Sequence, residues 1–150
     1  MAMADHHLIG TWRLVSWENQ AADGQITFPV GRDARGYIIY TADGYVSVQI
    51  MTAQRQRFAA DDLLQGSTDE KARAAETFIA YCGRYELASD TVIHRVELSL
   101  FPNWVGTRQV RRIEMAGDRL TLSAGPMMLA GRQQIARLIW ERMRPSSGSA

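Results

Sequence analysis

Cysteine is nearly absent from this sequence, and so are long apolar runs. Cys82 is the single cysteine among 150 residues, so an intrachain disulfide is excluded. Small secreted domains often depend on disulfides, which favours a reducing compartment here. The first residues are polar and lack the apolar stretch of a signal peptide. No segment approaches the roughly 20 apolar residues of a membrane span. We therefore expect a soluble, cytoplasmic protein without a membrane partner.

An excess of charge of one sign is missing as well. The 17 basic and 16 acidic residues leave a net charge of +1, and the basic residues are scattered. This balance gives no reason to expect a nucleic-acid partner. The sequence also lacks a glycine-rich phosphate loop, zinc-ligand spacing and a nucleophile elbow. We expect no cofactor and no metal, and we interpret the pair His6-His7, near the N-terminus, as inert.

The residues that are present fit one compact domain. About 46% are hydrophobic, enough to fill a core and too many for a disordered chain. The length fits a single domain spanning 1–150, and we expect 1–6 and 145–150 to be disordered.

Turn signals divide the chain into short segments rich in Val, Ile, Tyr, Thr and Leu. Asp23-Gly24, Asp43-Gly44 and Gly117-Asp118 suit hairpin turns because their residues tolerate positive φ. Short strands at hairpin spacing favour an all-β sandwich or barrel. The predicted strands are 9–18, 25–29, 36–41, 44–50, 81–88, 91–101, 107–116, 118–124 and 133–142.

One region departs from this pattern. Residues 58–80 are rich in Ala, Glu, Lys and Arg, with few β-branched residues. Ser67 or Thr68, followed by Glu70, resembles the start of a helix. We predict helices near 59–65 and 68–80, inserted between two hairpins at about 59–80. The insertion is either a plug of one barrel end or a mobile gate for a ligand.

Strand alternation predicts which side chains face inward. A hairpin at 89–90 places Tyr85 opposite His94 and Tyr81 opposite Leu98. Every second residue along this strand is then apolar, apart from His94, and we expect this face inside. The face comprises Val92, His94, Val96, Leu98 and Leu100.

The same reasoning on the hairpin at 117–118 places Arg111, Ile113 and Leu122 inside. The acidic residues of these strands all take outward positions, so paired carboxylates for hydrolysis are missing. The hairpin at Asp43-Gly44 leaves the orientation of Gln49 and Tyr40 open, because its loop has either two or three residues.

Two groups of residues each have two interpretations. His94 is either a structural histidine bonded to a tyrosine or to water, or a residue that contacts a ligand or transfers a proton. In the segment 101–106, Trp104 either packs against the helical insertion or lines a cavity mouth together with Asn103.

The N-terminal Gly10-Thr11-Trp12 resembles the Gly-x-Trp signature of the calycins, which include lipocalins and fatty-acid-binding proteins. The resemblance implies that Trp12 closes one barrel end and that a late arginine packs across its ring. Arg142 is the first choice and Arg137 the second. Further stretches resemble the bacterial and fungal lipocalin-like domain family: 36–49, 80–86, 92–97, 100–107, 117–122 and 138–142.

This resemblance implies a closed antiparallel β-barrel of 8–10 strands whose cavity binds one small, mostly apolar or polyketide-like molecule. Two functions follow. The protein is either a cyclase or isomerase of a biosynthetic pathway, with His94, Tyr85 and Arg111 as catalytic residues, or a carrier or sensor without chemistry. The sequence leaves open whether two copies of the chain form a homodimer. The predicted ligand-binding residues are Tyr40, Gln49, Tyr81, Val96, Leu98, Asn103, Trp104, Ile113 and Leu122.

Overall fold

A computed structural model describes residues 7–144, and the termini predicted to be disordered lie outside this range. Nine strands account for most of the chain. Their bounds are β1 Gly10–Ala21, β2 Ile26–Thr27, β3 Arg35–Tyr40, β4 Tyr45–Met51, β5 Phe78–Ala88, β6 Thr91–Ser99, β7 Arg108–Ala116, β8 Arg119–Leu129 and β9 Arg132–Arg142. The α-helix that we name α1 spans Thr68–Glu76, and a 3-10 turn, η1, spans Pro102–Trp104.

The strands form a closed antiparallel barrel, as predicted. Each strand from β3 to β8 pairs with the next one along the chain, and β1 pairs with both β3 and β9. This ring holds eight strands, while the short β2 pairs with β1 outside it. Because the sheet closes on itself, none of the eight strands of the ring is left with a free edge.

Trp12 closes one end of the barrel. Its side chain is fully buried, and its Nε1 donates a hydrogen bond to the Leu8 carbonyl at 2.9 Å. The Arg142 guanidinium lies 4.1 Å from the centre of the Trp12 ring and donates to the Ile9 carbonyl. The first choice of arginine is thus confirmed, whereas Arg137 instead forms a surface ion pair with Glu18.

The helical insertion is shorter than predicted. Ser67 caps α1 through a reciprocal capping box with Glu70. The helix ends at Glu76, and β5 begins at Phe78, within the range predicted to be helical. The predicted helix at 59–65 is wrong, since this segment consists of bends and turns. The Asp62 side chain accepts the Leu64 N–H, a local bond that competes with helix formation. No helix within residues 7–144 is long and apolar enough to cross a membrane.

A β-bulge in β6 corrects the predicted orientation of Leu98. Beyond the bulge, Cys82 pairs with Leu98 and Tyr81 pairs with Ser99, one residue out of the predicted register. Glu97 is the extra residue, and inserting one residue reverses the alternation after it. Leu98 is therefore 67% exposed on the outer face and does not line the interior.

The neighbouring strand accommodates this bulge with a glycine. A Cβ atom added to Gly83 would lie 1.8 Å from the backbone oxygen of Arg95. A side chain is excluded at that distance, so only glycine allows the two backbones to approach this closely.

Both segments that differ from simple hairpins lie at the end of the barrel opposite Trp12. The helix α1 connects the end of β4 to the start of β5, and η1 connects the end of β6 to the start of β7. Trp12 belongs to the start of β1, which pairs with the end of β3. The barrel thus has a Trp12 end and an α1 end.

A cavity beneath the α1 end

His94 lies at the centre of a buried polar cluster. Its side chain is 1% exposed, and it faces inward opposite Tyr85, as the hairpin register predicted. The Tyr40 hydroxyl lies 2.7 Å from its Nε2, and the Tyr81 hydroxyl lies 2.7 Å from its Nδ1. Both ring nitrogens are therefore hydrogen-bonded, which ties β3, β5 and β6 together inside the barrel.

Burial keeps His94 and its two tyrosine partners uncharged. Desolvation, aided by the positive charge of Arg111, lowers the pKa of His94 to about 3. Burial also raises the pKa of Tyr81 and raises that of Tyr40 well above its usual range. A neutral imidazole has one N–H, so one tyrosine donates to the ring and the other accepts from it. The accepting tyrosine keeps its own O–H for a further acceptor.

Arg111 lies on the inner side of β7, half-buried, as predicted. Its guanidinium donates to the Gln109 Oε1 at 2.9 Å, and its charge acts on the pKa of both His94 and Tyr81. It supplies the cluster with a positive charge at the cavity wall.

Tyr85 occupies a different position in the cluster. Its hydroxyl donates to the Thr41 carbonyl at 2.9 Å, and its ring meets the Tyr40 ring edge-on at 4.9 Å. Within the described residues, the cavity wall includes Tyr81 and His94, whereas Tyr40 and Tyr85 lie outside the lining.

A cavity of about 50 Å³ lies next to His94, Tyr81 and Arg111. Such a volume holds a water or two, and it is too small for an organic ligand. Apart from those three residues the wall is almost entirely apolar: Trp17, Ile38, Val48, Ile50, Ile79, Trp104, Leu122, Met127, Ala136, Leu138 and Trp140.

A much larger depression of about 800 Å³ opens at the α1 end. Four residues line both the depression and the inner cavity: Ile79, Trp104, Arg111 and Met127. Trp104 meets the Tyr81 ring edge-on at 5.9 Å and the Phe101 ring at 5.4 Å. These shared residues are the partition between the two spaces, so their displacement would join the inner cavity to solvent.

Eight of the predicted site residues divide into three groups. Tyr81, His94, Trp104, Arg111 and Leu122 line the cavity. Val96 and Ile113 lie in or against the core without reaching that wall. Asn103 is exposed and lies outside the lining, so only Trp104 of that pair is at the mouth.

Gln49 is on the outer surface of the barrel, which corrects its assignment as a ligand-binding residue. Its neighbours Val48 and Ile50 are buried, whereas Gln49 donates to the Ser47 Oγ at 2.6 Å on the opposite face of β4. Tyr40 is on the inner face of β3 and is 1% exposed. The turn geometry, which the sequence left open, decides both orientations.

Sequence reasoning missed Trp17, Trp140 and Met127. A bulge at Val15 shifts the register of β1 against β9, so Trp12, Leu14 and then Trp17 face inward. Simple alternation from Trp12 would have placed Ser16 inside instead. In β9 the alternation is obscured because Ile135 and Ile139 are apolar on the outer face as well.

Comparison with known proteins agrees with this architecture. The chain matches the lipocalin-like domain family over residues 9–143. It is 34% identical, over 107 residues, to a protein of Aspergillus oryzae (strain ATCC 42149 / RIB 40) named 4'-hydroxy-3'-methoxypropiophenone carrier protein. That match covers 65% of this chain and 96% of the relative. No solved structure matches the chain significantly. The chain therefore belongs to the lipocalin-like domain family, whose barrel and cavity support binding of a small molecule.

Proposed function

We propose that this protein is a carrier that binds a small aryl ketone in the cavity beneath Trp104 and releases it unchanged. The observation that carries the proposal is the Tyr81 hydroxyl, held by a buried neutral His94 beside Arg111 in an otherwise apolar wall. Ligand pockets typically combine such an apolar lining with a few fixed polar groups. The Aspergillus oryzae relative is named as the carrier of an aryl ketone, which supports this class of ligand.

The polar groups suit a ketone oxygen. A ketone accepts hydrogen bonds and donates none. Arg111 supplies donors at the wall, and Tyr81 supplies one in the tautomer in which its hydroxyl accepts from the His94 ring. The aromatic ring of the ligand would contact Trp17 and Trp104, which line the same space. Displacing Trp104 and Met127 would join the cavity of about 50 Å³ to the depression at the α1 end and provide the necessary volume.

The state of His94 favours a carrier over a cyclase or isomerase. A general base works best when its pKa lies near the working pH. The pKa of His94 is lowered to about 3, so its neutral form is a weak base, and both of its nitrogens are already hydrogen-bonded. In this proposal His94 positions the Tyr81 hydroxyl and transfers no proton to or from the ligand.

The proposal is tested by titrating the protein with 4'-hydroxy-3'-methoxypropiophenone and following tryptophan fluorescence. We expect saturable one-to-one binding. Arg111→Met should weaken it about 10- to 150-fold, because a charged hydrogen bond contributes about 1.5–3 kcal/mol. Arg112→Met is the matched control, since the Arg112 side chain is exposed on the opposite face of β7 and its loss should leave affinity unchanged.

The same samples decide between carrier and enzyme. After prolonged incubation the ligand is extracted and analysed by chromatography, and a carrier returns it unaltered in full amount. Absence of binding, or equal losses in the two arginine variants, would overturn the proposed site. Conversion of the ligand that stops in His94→Phe would replace the carrier with the catalytic alternative.

A further inference from the structure

Three buried polar atoms on one wall of the barrel have no hydrogen-bond partner among residues 7–144. They are the Nδ2 of Asn19, the Oε1 of Gln134 and the Nε1 of Trp140. Leaving such a group buried and unpaired costs about 1–3 kcal/mol, so three of them on two adjacent strands need an explanation. Asn19 is on β1, and the other two are on β9.

The register brings the two amides close together. Asn19 pairs with Ala136 and Ala21 pairs with Gln134, so the two amide side chains are diagonal neighbours on the inner face. Their other polar atoms are already engaged: Trp17 Nε1 donates to the Asn19 Oδ1 at 2.7 Å, and the Gln134 Nε2 donates to the Leu129 carbonyl at 2.9 Å. These bonds leave two groups without a partner among the described residues: the Nδ2 of Asn19, which is a donor, and the Oε1 of Gln134, which is an acceptor.

This group borders the inner cavity. Trp140 lines the cavity itself, and so do Trp17 and Ala136, the neighbours of Asn19. Met127 pairs with Gln134 across β8 and β9, and it belongs to the partition between the cavity and the outer depression. Displacing Met127 would therefore enlarge the cavity toward the unpaired amide atoms.

The group faces the His94 cluster across the barrel. In the eight-stranded ring, β9 lies four strands from β5, and β1 lies four strands from β6. Tyr81 and His94 belong to β5 and β6. One wall thus holds Tyr81, and the wall directly opposite holds Asn19, Gln134 and Trp140.

We propose that Asn19 and Gln134 form a second polar subsite that binds a hydroxyl group on the ligand, at the end remote from its ketone. A hydroxyl both donates and accepts, so it can donate to the Gln134 Oε1 while it accepts from the Asn19 amide. The ligands that this subsite would favour are aryl ketones that carry a hydroxyl group on the ring, opposite the ketone. This inference rests on the proposed function, because it assumes that a ligand occupies the barrel.

A pair of probes isolates the hydroxyl group: propiophenone and its para-hydroxylated derivative, each titrated by tryptophan fluorescence. In the wild type we expect the hydroxylated probe to bind about fivefold more tightly, which corresponds to one net hydrogen bond. Gln134→Met keeps the length of the side chain and removes its polar atoms, so the affinity ratio should fall toward one. Gln133→Met, at the exposed neighbouring position, should retain the wild-type ratio.

The ratio separates a binding role from a structural one. If the two probes bind the wild type equally, or if Gln134→Met weakens both by the same factor, the second subsite is overturned while the carrier function stands. If neither probe binds the wild type, the proposed function itself fails, and this inference fails with it. Should Gln134→Met not fold by circular dichroism, Asn19→Leu, which removes the unpaired amide donor, decides by the same ratio.

Discussion

His94 combines two properties that rarely coexist in one side chain. It is ionisable in the range of ordinary pH, yet it lies in the core with both ring nitrogens bonded to tyrosines. The two hydroxyls compensate for the hydrogen bonds lost on burial, but nothing compensates a proton added to the ring, since Arg111 repels it. The residue therefore makes the folded state sensitive to acid.

This sensitivity predicts a specific pH dependence of stability. The unfolded state binds a proton on His94 below about pH 6.5, whereas the folded state does so only near pH 3. The free energy of unfolding should consequently fall as pH drops through this window, by up to about 1.4 kcal/mol per pH unit. Urea unfolding at pH 7, 6 and 5 measures the slope.

The matched variants for this experiment are His94→Gln and His7→Gln. His94→Gln removes the titrating group, so its stability should change less between pH 6 and pH 5 than that of the wild type. His7→Gln changes an exposed side chain outside the His94 cluster and serves as the control. Equal slopes in all three proteins would mean that His94 takes up its proton normally in the folded state.

At the level of strands, the sequence predicts the elements well and the orientation of their side chains only in part. Hairpin turns and apolar alternation predict the barrel, and the parity of His94 follows from the short turn at 89–90. The same alternation continues through Val96, Leu98 and Leu100, although the chain no longer follows it after the bulge. A bulge accommodates a single inserted residue locally, and the apolar pattern of the sequence does not reveal it.

Two further misassignments have comparable causes. The side chain of Gln49 could not be oriented because its hairpin loop allowed two lengths that differ by one residue. The segment 59–65 has helix-forming composition, but Leu63 and Leu64 remain 86% and 74% exposed, so tertiary packing gives no stabilisation to a helix there. The length of the hairpin loop decides the first case. Tertiary contacts, which no local pattern contains, decide the second.

The bulge in β6 yields a prediction for Gly83. Gly83→Ala would place a methyl group against the Arg95 carbonyl, which would force the backbones of β5 and β6 apart. We expect a loss of about 1–3 kcal/mol of stability, measured by urea unfolding. Arg84→Ala, at the exposed position next to it, should change stability by less than about 0.5 kcal/mol. A similar stability of the two variants would argue against the close approach.

The helix α1 should respond differently because it buries none of its side chains. Ser67→Ala removes the capping bond to the Glu70 N–H, which typically costs about 1 kcal/mol of helix stability. Since the barrel does not depend on that helix, amide hydrogen exchange should accelerate at 68–76 and stay unchanged in β5 and β6. Faster exchange throughout the barrel would instead show that α1 and the strands unfold together.

Across the whole molecule, packing is unevenly distributed between the two ends of the barrel. The Trp12 end is filled by a fully buried indole beneath the Arg142 guanidinium. The α1 end carries an open depression whose inner wall includes the half-buried Trp104. The packed Trp12 end stabilises the barrel. The open depression at the α1 end leaves space into which Trp104 and Met127 can move. Under the proposed function, stability and ligand access therefore belong to opposite ends of one core.

Truncating one tryptophan at each end tests this division, since both changes remove the same indole. Trp12→Ala should lower the free energy of unfolding by about 3–5 kcal/mol, as truncation of a buried tryptophan usually does. Trp104→Ala should cost about 1 kcal/mol, because this side chain already contacts solvent, but it should weaken aryl ketone binding by removing a wall of the cavity. Arg112→Ala serves as the surface control and should change neither quantity. Urea midpoints and ligand titrations on the three variants provide both measurements. Equal midpoints for the two tryptophan variants, or unchanged binding in Trp104→Ala, would contradict the division, because the two ends would then contribute alike.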